Sequence, residues 1–375
     1  MKIILTGGGT GGHFYPIIAV AEALKKVVED QKLVSPQLYF MSNAPYSEEL
    51  LMENHLTFLP VKAGKIRRYF SVRNFTDLFK TAWGIVQAVW QLYLIYPDVI
   101  FAKGGYTSFP AVFASRLLRI PLIIHESDSK PGRVNAWAGK FARRIAVSYP
   151  EAVRHFQADK TAVTGNPIRE SIKQPIINGA REFLELEPEV PVIMILGGSL
   201  GAVRINDTLI DILPELLKKY QVIHQVGRDN YVDAKGRTDL ILAGNDLQKR
   251  YKIYDTLNAT AMRMAAGVTS LIISRAGSTI FEIANWGIPS IIIPIPQTIS
   301  HDQYENAFTY ARSGGAIVVE EKNLTPSILM SEINRLMDNE PLRQEMGRNA
   351  KAWSKPDAAE TIAKEIITIA LEHEK

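Results

Sequence analysis

Short runs of consecutive apolar residues alternate along the chain with longer stretches of helical periodicity. The runs are Lys2–Leu5, Leu38–Met41, Val99–Ala102, Leu122–His125, Ile145–Val147 and Thr161–Thr164. A second series is Val190–Leu196, Val222–Val226, Lys252–Tyr254, Leu271–Ser274, Ser290–Pro294 and Ala316–Val319. Many are apolar throughout and do not alternate with polar residues. Strands buried on both faces of a parallel sheet read that way. Strands separated by helices predict a layered α/β fold.

The pattern also repeats within the chain. VIFAKGGYTSFPAVFASRLLRIPLII (99–124) lines up with LIISRAGSTIFEIANWGIPSIII (271–293). Each is an apolar strand, a basic residue, a glycine loop, a helix, Ile-Pro and another apolar strand. The first copy is longer by about one helical turn. IILTGGGTGGH (3–13) resembles IMILGGSLGAV (193–203). Two such matches in the same order predict two Rossmann-like domains. Asn166-Pro167, in TGNPIRE (164–170), blocks helix continuation and marks the boundary. The expected domains are residues 1–168 and 169–353. The helical tail 354–375 either ends the second domain or packs back on the first.

Composition narrows the class. With 375 residues, 46% hydrophobic and 22% charged, the chain is long enough for two globular domains. A net charge of +4 and a pI of about 9.0 give no case for nucleic acid and suit an anionic substrate or membrane surface. There is no cysteine, which excludes disulfides, thiol catalysis and cysteine-bound metal. In MKIILTGGG the glycines interrupt too early for a signal peptide. Ala82–Tyr96 contains Gln87 and Gln91 and is about five residues short of a spanning helix. A cytoplasmic protein with at most a peripheral membrane contact is expected.

The glycine loops carry the candidate chemistry. GGGTGG (7–12) has five glycines in six positions between a strand and a helix. Such a loop cradles phosphate at a helix N-terminus, or it is only a tight turn. His13 stands where a P-loop would carry lysine, which rules that motif out. The second strand ends in Met41, Ser42 and Asn43, without the acid a dinucleotide ribose requires. A ligand gripped between two domains at the carboxyl ends of their strands fits the doubled loops. In GGSLGAVRIN (197–206), Ser199 and Arg204 suit a phosphate. In RAGSTIFE (275–282), Ser278 and Thr279 can cap a helix. Glu282 then either closes a capping box with Thr279 or accepts from the vicinal hydroxyls of a ribose.

GGTGGHFYP, GGYTS, HESDSKPG, TGNPIR, LGGSLGAVRIN, SRAGSTIFEIA and QYENA follow in order from Gly8 to Ala307. Together they resemble the bacterial UDP-N-acetylglucosamine:N-acetylmuramyl-(pentapeptide) pyrophosphoryl-undecaprenol N-acetylglucosaminyltransferases, of glycosyltransferase B fold. The resemblance implies two parallel-sheet domains facing across a cleft. It also implies inverting transfer of N-acetylglucosamine from UDP-GlcNAc to the C4 hydroxyl of lipid I, forming lipid II in peptidoglycan synthesis, with no cofactor or metal. Thr10, Gly11 and Gly12 would approach the donor, and Arg169 and Ser199 its diphosphate. Ala276, Gly277, Ser278, Thr279 and Glu282 would hold it further, with Glu282 on the ribose. Gln303 would reach the sugar and the Tyr254 region the uracil. Relatives often read His-Glu-Gln-Asn where this chain has His125, Glu126, Ser127 and Asp128, so Asp128 takes the place of an asparagine that contacts the donor sugar. A second carboxylate, which retaining enzymes of this fold carry, would fall at Ser290. The candidate base is His13, with Glu126 second. Tyr106 would position the acceptor.

A lipid acceptor implies membrane contact by the first domain. KAGKIRRYFSVRNFTDLFKTAWGIVQAVW (62–90) offers Lys62, Lys65, Arg67, Arg68, Arg73 and Lys80 against Asp77 alone, with Phe70, Phe75, Leu78, Phe79 and Trp83 as apolar surface. That composition suits an anionic bilayer surface, or an amphipathic helix with a solvated basic face. Protein partners in wall synthesis are expected from the family. The rival readings are another UDP-sugar transferase or a UDP-GlcNAc 2-epimerase, a two-lobed solute-binding protein, and a dehydrogenase.

Overall fold

Two all-parallel sheets organise the chain. The computed structural model describes residues 1–65, 72–198, 201–297 and 301–373, and leaves out the side chains of 72–74, 301 and 302. One unit comprises Met1–Arg169 with Lys355–Lys375, and the other Glu170–Ser354.

In unit 1 the strands are β1 (Lys2–Thr6), β2 (Gln37–Ser42), β3 (Thr57–Pro60), β4 (Val99–Ala102), β5 (Leu122–Glu126), β6 (Arg144–Val147) and β7 (Thr161–Val163), in the order β3-β2-β1-β4-β5-β6-β7. Its helices are α1 (Gly11–Asp30), α2 (Glu48–Glu53), α3 (Val72–Ile95), α4 (Phe109–Leu118) and α5 (Arg133–Ala138). Unit 2 holds β8 (Val192–Leu196), β9 (Gln221–Gln225), β10 (Tyr251–Tyr254), β11 (Thr269–Ser274), β12 (Ser290–Ile292) and β13 (Ala316–Val318), in the order β10-β9-β8-β11-β12-β13. Around them lie α6 (Glu170–Lys173), α7 (Ala180–Phe183), α8 (Val203–Leu216), α9 (Tyr231–Ile241), α10 (Ala259–Val268), α11 (Thr279–Trp286), α12 (His301–Ala311), α13 (Pro326–Met337) and α14 (Glu340–Trp353). The last helix, α15 (Ala358–His373), returns to unit 1.

The continuous apolar runs are explained by burial on both faces. In β1, Ile3 and Leu5 join α1 and α15, while Ile4 turns to the opposite face with Ala88 and Leu92 of α3 and Val112 of α4. In β8, Ile193 and Ile195 meet Leu209 and Leu213 of α8, while Met194 meets Ile280 and Ile283 of α11. Ile362, Ile366, Ile367 and Ile369 of α15 are nearly or fully buried in the unit 1 core. Each such side chain is worth about 1.5–3 kcal/mol relative to exposure.

All twelve expected strands are present, with ends moved by a residue or two. The unexpected one is β3. It is a short edge strand, its residues half-buried or exposed, ending on Pro60, so it lacks an apolar run.

The sheet order gives the internal repeat its meaning. β1 lies between β2 and β4, and β8 lies between β9 and β11. In each unit the chain winds away from the central strand in both directions, which leaves a crevice at the carboxyl ends. The paired loops of the repeat follow β1 and β4 in unit 1, and β8 and β11 in unit 2.

Candidate functional site

In unit 1 the loop after β1 packs too closely for side chains. A Cβ on Gly7 would lie 2.9 Å from Ile17 Cδ1 and 3.0 Å from Lys103 Cβ, at φ +149°. Thr10 is the extended N-cap of α1, its side chain forms no cap bond, and the first turn carries no acid. The helix therefore presents its first amides and positive dipole end, as an anion site requires. Its backbone carbonyl is engaged by the amides of His13 and Phe14 at 3.2 and 3.1 Å.

His13 sits in that first turn. It is half-buried, and its Nδ1 is enclosed without a hydrogen-bond partner. Burial first, and the Lys103 charge second, bring its pKa down to about 4, against a hydrogen bond with the Lys103 backbone. The ring is thus neutral at neutral pH. Tyr106 lies across the glycine loop, its Cε1 3.3 Å from where a Cβ on Gly9 would stand. Thr10, Gly11, Gly12, His13 and Tyr106 are gathered at this crevice.

Glu126 ends β5 and is buried. Its Oε1 accepts from Asp128 N at 3.0 Å, and its Oε2 accepts from Gly132 N and Asn135 Nδ2, each at 3.0 Å. These bonds clamp the 126–132 loop and fix the backbone of half-buried Asp128. Burial, then the Asp128 charge, push Glu126 up to about 7. His125, fully buried, is held neutral chiefly by burial and contacts Gly165 O through Nε2 at 2.9 Å, which pins the TGNP loop to β5. Arg169 lies at the end of unit 1, its guanidinium 4.0 Å over the Tyr15 ring of α1. That cation–π contact aims Arg169 at the start of α1.

In unit 2, Gly198 and Gly201 adopt φ +76° and +72° ahead of α8, and Ala202 leaves that helix uncapped by a side chain. Ser199 lies outside the described residues. Arg204 donates to Leu324 O at 3.1 Å, so it braces α8. Behind the loop, His224 joins Tyr251 Oη at 2.9 Å and Asn206 Oδ1 at 3.1 Å. Burial lowers His224 to about 3, so this network is neutral. Ala276 is buried, and Gly277, Ser278 and Thr279 lead into α11. The N-cap is Ser278, without a side-chain bond, and Thr279 is the first helical residue. The expected capping box from Thr279 to Glu282 is therefore absent, because the helix begins one residue earlier than that motif needs. Gln303, in the first turn of α12, brings Nε2 to 4.0 Å from where a Cβ on Gly277 would stand, and its Oε1 is enclosed without a hydrogen-bond partner. Tyr254 is half-buried at the end of β10, and its carbonyl accepts from Val226 N.

Lys103, Asn135 and His224, which the motif reading did not single out, are buried beside the candidate residues or behind their loops. A signal for Lys103 was present, since the internal repeat places a basic residue after β4 and again, as Arg275, after β11.

The 62–90 segment is largely α3. Arg67, Arg68 and Phe70 lie outside the described residues, as does the Arg73 side chain. Asp77, Thr81, Ala88 and Leu92 are buried, and Asp77 pairs with Lys80 at 3.2 Å. Phe75, Phe79, Trp83, Val86, Trp90 and Tyr93 are each more than half exposed, at helical spacing. Over the described residues the outward face carries an aromatic stripe beside the exposed Lys80. Among the described residues, no helix is long and apolar enough to cross a membrane.

Residues 3–147 match the glycosyltransferase family 28 N-terminal domain, and residues 192–362 its C-terminal domain. The chain is 36% identical over 342 residues to the "UDP-N-acetylglucosamine--N-acetylmuramyl-(pentapeptide) pyrophosphoryl-undecaprenol N-acetylglucosamine transferase 3" of Bacillus thuringiensis strain Al Hakam, covering 90% of this chain and 92% of that protein. It resembles the crystal structure of Acinetobacter baumannii MurG at a TM-score of 0.70 and 26% identity, covering 98% of this chain and 99% of that one. A putative UDP-N-acetylglucosamine 2-epimerase from Listeria monocytogenes shares the fold at a TM-score of 0.71 and 15% identity, covering 99% and 97%.

Proposed function

The chain belongs to glycosyltransferase family 28, and on that premise we propose how its two units serve one reaction. It is an N-acetylglucosaminyltransferase that moves N-acetylglucosamine from UDP-GlcNAc to lipid I, forming lipid II in peptidoglycan synthesis. The observation that carries the mechanism is His13, an unprotonated imidazole in the first turn of an uncapped helix, among glycines.

His13 takes the proton of the MurNAc C4 hydroxyl. The hydroxyl oxygen attacks the anomeric carbon as the bond to the UDP oxygen breaks, and the configuration inverts. General-base help of this kind contributes about 10²–10⁴-fold. UDP leaves with its charge met by helix N-termini, namely α8 and α11 on the donor unit, and by Ser199 and Arg169. Glu282 accepts from the ribose hydroxyls, Gln303 binds the sugar, and the Tyr254 region meets the uracil. Tyr106 orients the acceptor, whose diphosphate suits the α1 N-terminus with Thr10, Gly11 and Gly12. Glu126, with both oxygens committed to N–H donors, serves better as a clamp for Asp128 than as a base.

Unit 1 meets the anionic face of the bilayer from the cytoplasmic side through α3. Its aromatic stripe enters the headgroup boundary while Lys62, Lys65 and neighbouring basic residues meet lipid phosphates. Protein partners of wall synthesis would then share that surface.

The test is transfer of labelled GlcNAc from UDP-GlcNAc to a lipid I analogue, with His13→Ala and Glu282→Ala beside the unaltered protein. His13→Ala should lose at least about a hundredfold in kcat while still binding UDP-GlcNAc, and Glu282→Ala should lose donor affinity. Full transfer by His13→Ala removes the base. A folded protein that binds UDP-GlcNAc and releases UDP with an epimerised sugar, without transfer, would overturn the reading.

A further inference from the structure

His224 stands in line with Val222 and Val226 on one face of β9, and all three are fully buried. The two valines belong to the apolar core of unit 2. His224 instead has both ring nitrogens engaged. Nδ1 lies 2.9 Å from Tyr251 Oη, at the start of β10, and Nε2 lies 3.1 Å from Asn206 Oδ1, in the first turn of α8.

The order of hydrogens along this chain follows from its far end. Asn206 Nδ2 donates to the carbonyl of Val226 at 3.1 Å. A carbonyl only accepts, so the amide nitrogen is turned to Val226 and Oδ1 to His224. Nε2 therefore carries the hydrogen, Nδ1 is bare, and Tyr251 donates to it. The relay runs from Tyr251 O–H to Nδ1, from Nε2–H to Asn206 Oδ1, and from Nδ2–H to Val226 O. It uses a neutral imidazole, and burial lowers His224 to about 3.

Val226 O is also where the relay meets the glycine loop ahead of α8. It accepts from Asn230 Nδ2 at 3.1 Å as well. A Cβ on Gly201 would stand 1.9 Å from that Nδ2 and 2.6 Å from Val226 O, so Gly201 lies directly on both. One residue before Val226, Gln225 O accepts from Gly197 N at 3.1 Å. Gly197, Gly201 and the first turn of α8 thus all rest on the backbone of Gln225 and Val226. A buried polar network with every member satisfied makes rigid what it joins. Without the Nε2–H donor, Asn206 Oδ1 is left unpaired and the amide is free to turn away from Val226.

We propose that His224 is a positioning residue for the donor: by fixing the orientation of Asn206 it holds Gly201 and the first turn of α8 on the end of β9, so that the first amides of α8 are preset for the diphosphate of UDP-GlcNAc. This rests on the reading of α8 as a diphosphate site given above. Uridine, which has no phosphate, is indifferent to that arrangement.

The experiment compares H224L, H224Q and Y251F with the unaltered protein. It measures UDP and uridine affinity, KM for UDP-GlcNAc and for the acceptor, melting temperature and the 15N shifts of the His224 ring, whose signals H224Q identifies by their loss. H224L should lose about tenfold or more in UDP affinity and raise KM for UDP-GlcNAc in step, with uridine affinity and acceptor KM nearly unchanged. H224Q, whose amide can donate to Asn206 in place of Nε2, should recover most of the UDP affinity. Y251F removes a hydrogen bond of the same network but leaves the limb from His224 to Val226, so it should lower the melting temperature and keep UDP affinity. The His224 ring should be the Nε2–H tautomer. Unaltered UDP affinity in H224L, equal losses of UDP and uridine, or the same UDP loss in Y251F would make the network a matter of packing and overturn the proposal. An Nδ1–H tautomer would overturn it too, and that measurement on the unaltered protein stands even where H224L does not fold. A protein that bound UDP but transferred no GlcNAc would overturn the functional reading alone, because the UDP and uridine affinities would still test His224.

Discussion

Replacing Glu126 by glutamine keeps the shape of the clamp and removes its charge. The amide has one acceptor oxygen for three donors, so one N–H of the loop faces an NH2 group. A buried donor left without an acceptor costs about 1–3 kcal/mol. The charge acts the other way. Burial and Asp128 push Glu126 from its ordinary 4.5 up to about 7. The folded state therefore keeps a proton through that window that the unfolded state has given up. With more protons bound in the folded state, stability falls as pH rises from about 4.5 to about 7, by about 3 kcal/mol in all. Glutamine does not titrate. E126Q should be close in stability to the unaltered protein near pH 4.5, where the folded carboxyl also carries a proton, and more stable than it near pH 7.5. His13 and His125 are lowered by burial and titrate in the same range in both proteins, so the comparison cancels most of their effect. Hydrogen exchange of peptides spanning β5, followed from pH 4.5 to 7.5 after correction for intrinsic exchange, isolates unit 1. A stability difference that stays constant across this range would refute the reasoning, because it would mean Glu126 titrates alike in both states.

Exchanging Phe79 and Trp83 of α3 for serine should weaken binding to anionic vesicles by about two orders of magnitude or more, since each large apolar side chain buried is worth about 1.5–3 kcal/mol. Transfer to a water-soluble acceptor analogue should persist, and a co-sedimentation assay showing unchanged vesicle binding would exclude α3 as the docking face. Gly84→Ala places a Cβ 1.6 Å from Lys62 O, so α3 must move off the 60–64 segment. The melting temperature of unit 1 should drop by an amount corresponding to about 1–3 kcal/mol or more, and an unchanged value would show that the two segments are not held together.

The candidate site was legible in the sequence as far as its loops. Gly7, Gly8 and Gly9 all adopt positive φ, and α1 begins at Gly11, inside the glycine run. The role of Glu282 was legible only in part. A capping box and a ribose contact predict the same residue at the same spacing, and the start of α11 decided against the box. His224 was hidden because a histidine inside an apolar strand reads like any other strand residue. Only Asn206 and Tyr251, from α8 and β10, make it a neutral polar pin.

Local chemistry settled the two parallel sheets, twelve of the strands and the positions of the glycine loops. A strand buried on both faces needs an unbroken apolar run, and a phosphate-ready turn needs glycine, and both demands fall on neighbouring residues. The tertiary structure decided what depends on enclosure by distant segments. It sent α15 back onto α1. It turned the aromatic stripe of α3 outward and buried its acid. It set Arg169 over Tyr15, and it closed β1, β4, β5 and α1 around a lysine that spacing alone could not tell from its paired counterpart Arg275. The protonation state of a group is set by how far water is excluded and which charges share the space. Those are properties of segments brought together from across the chain.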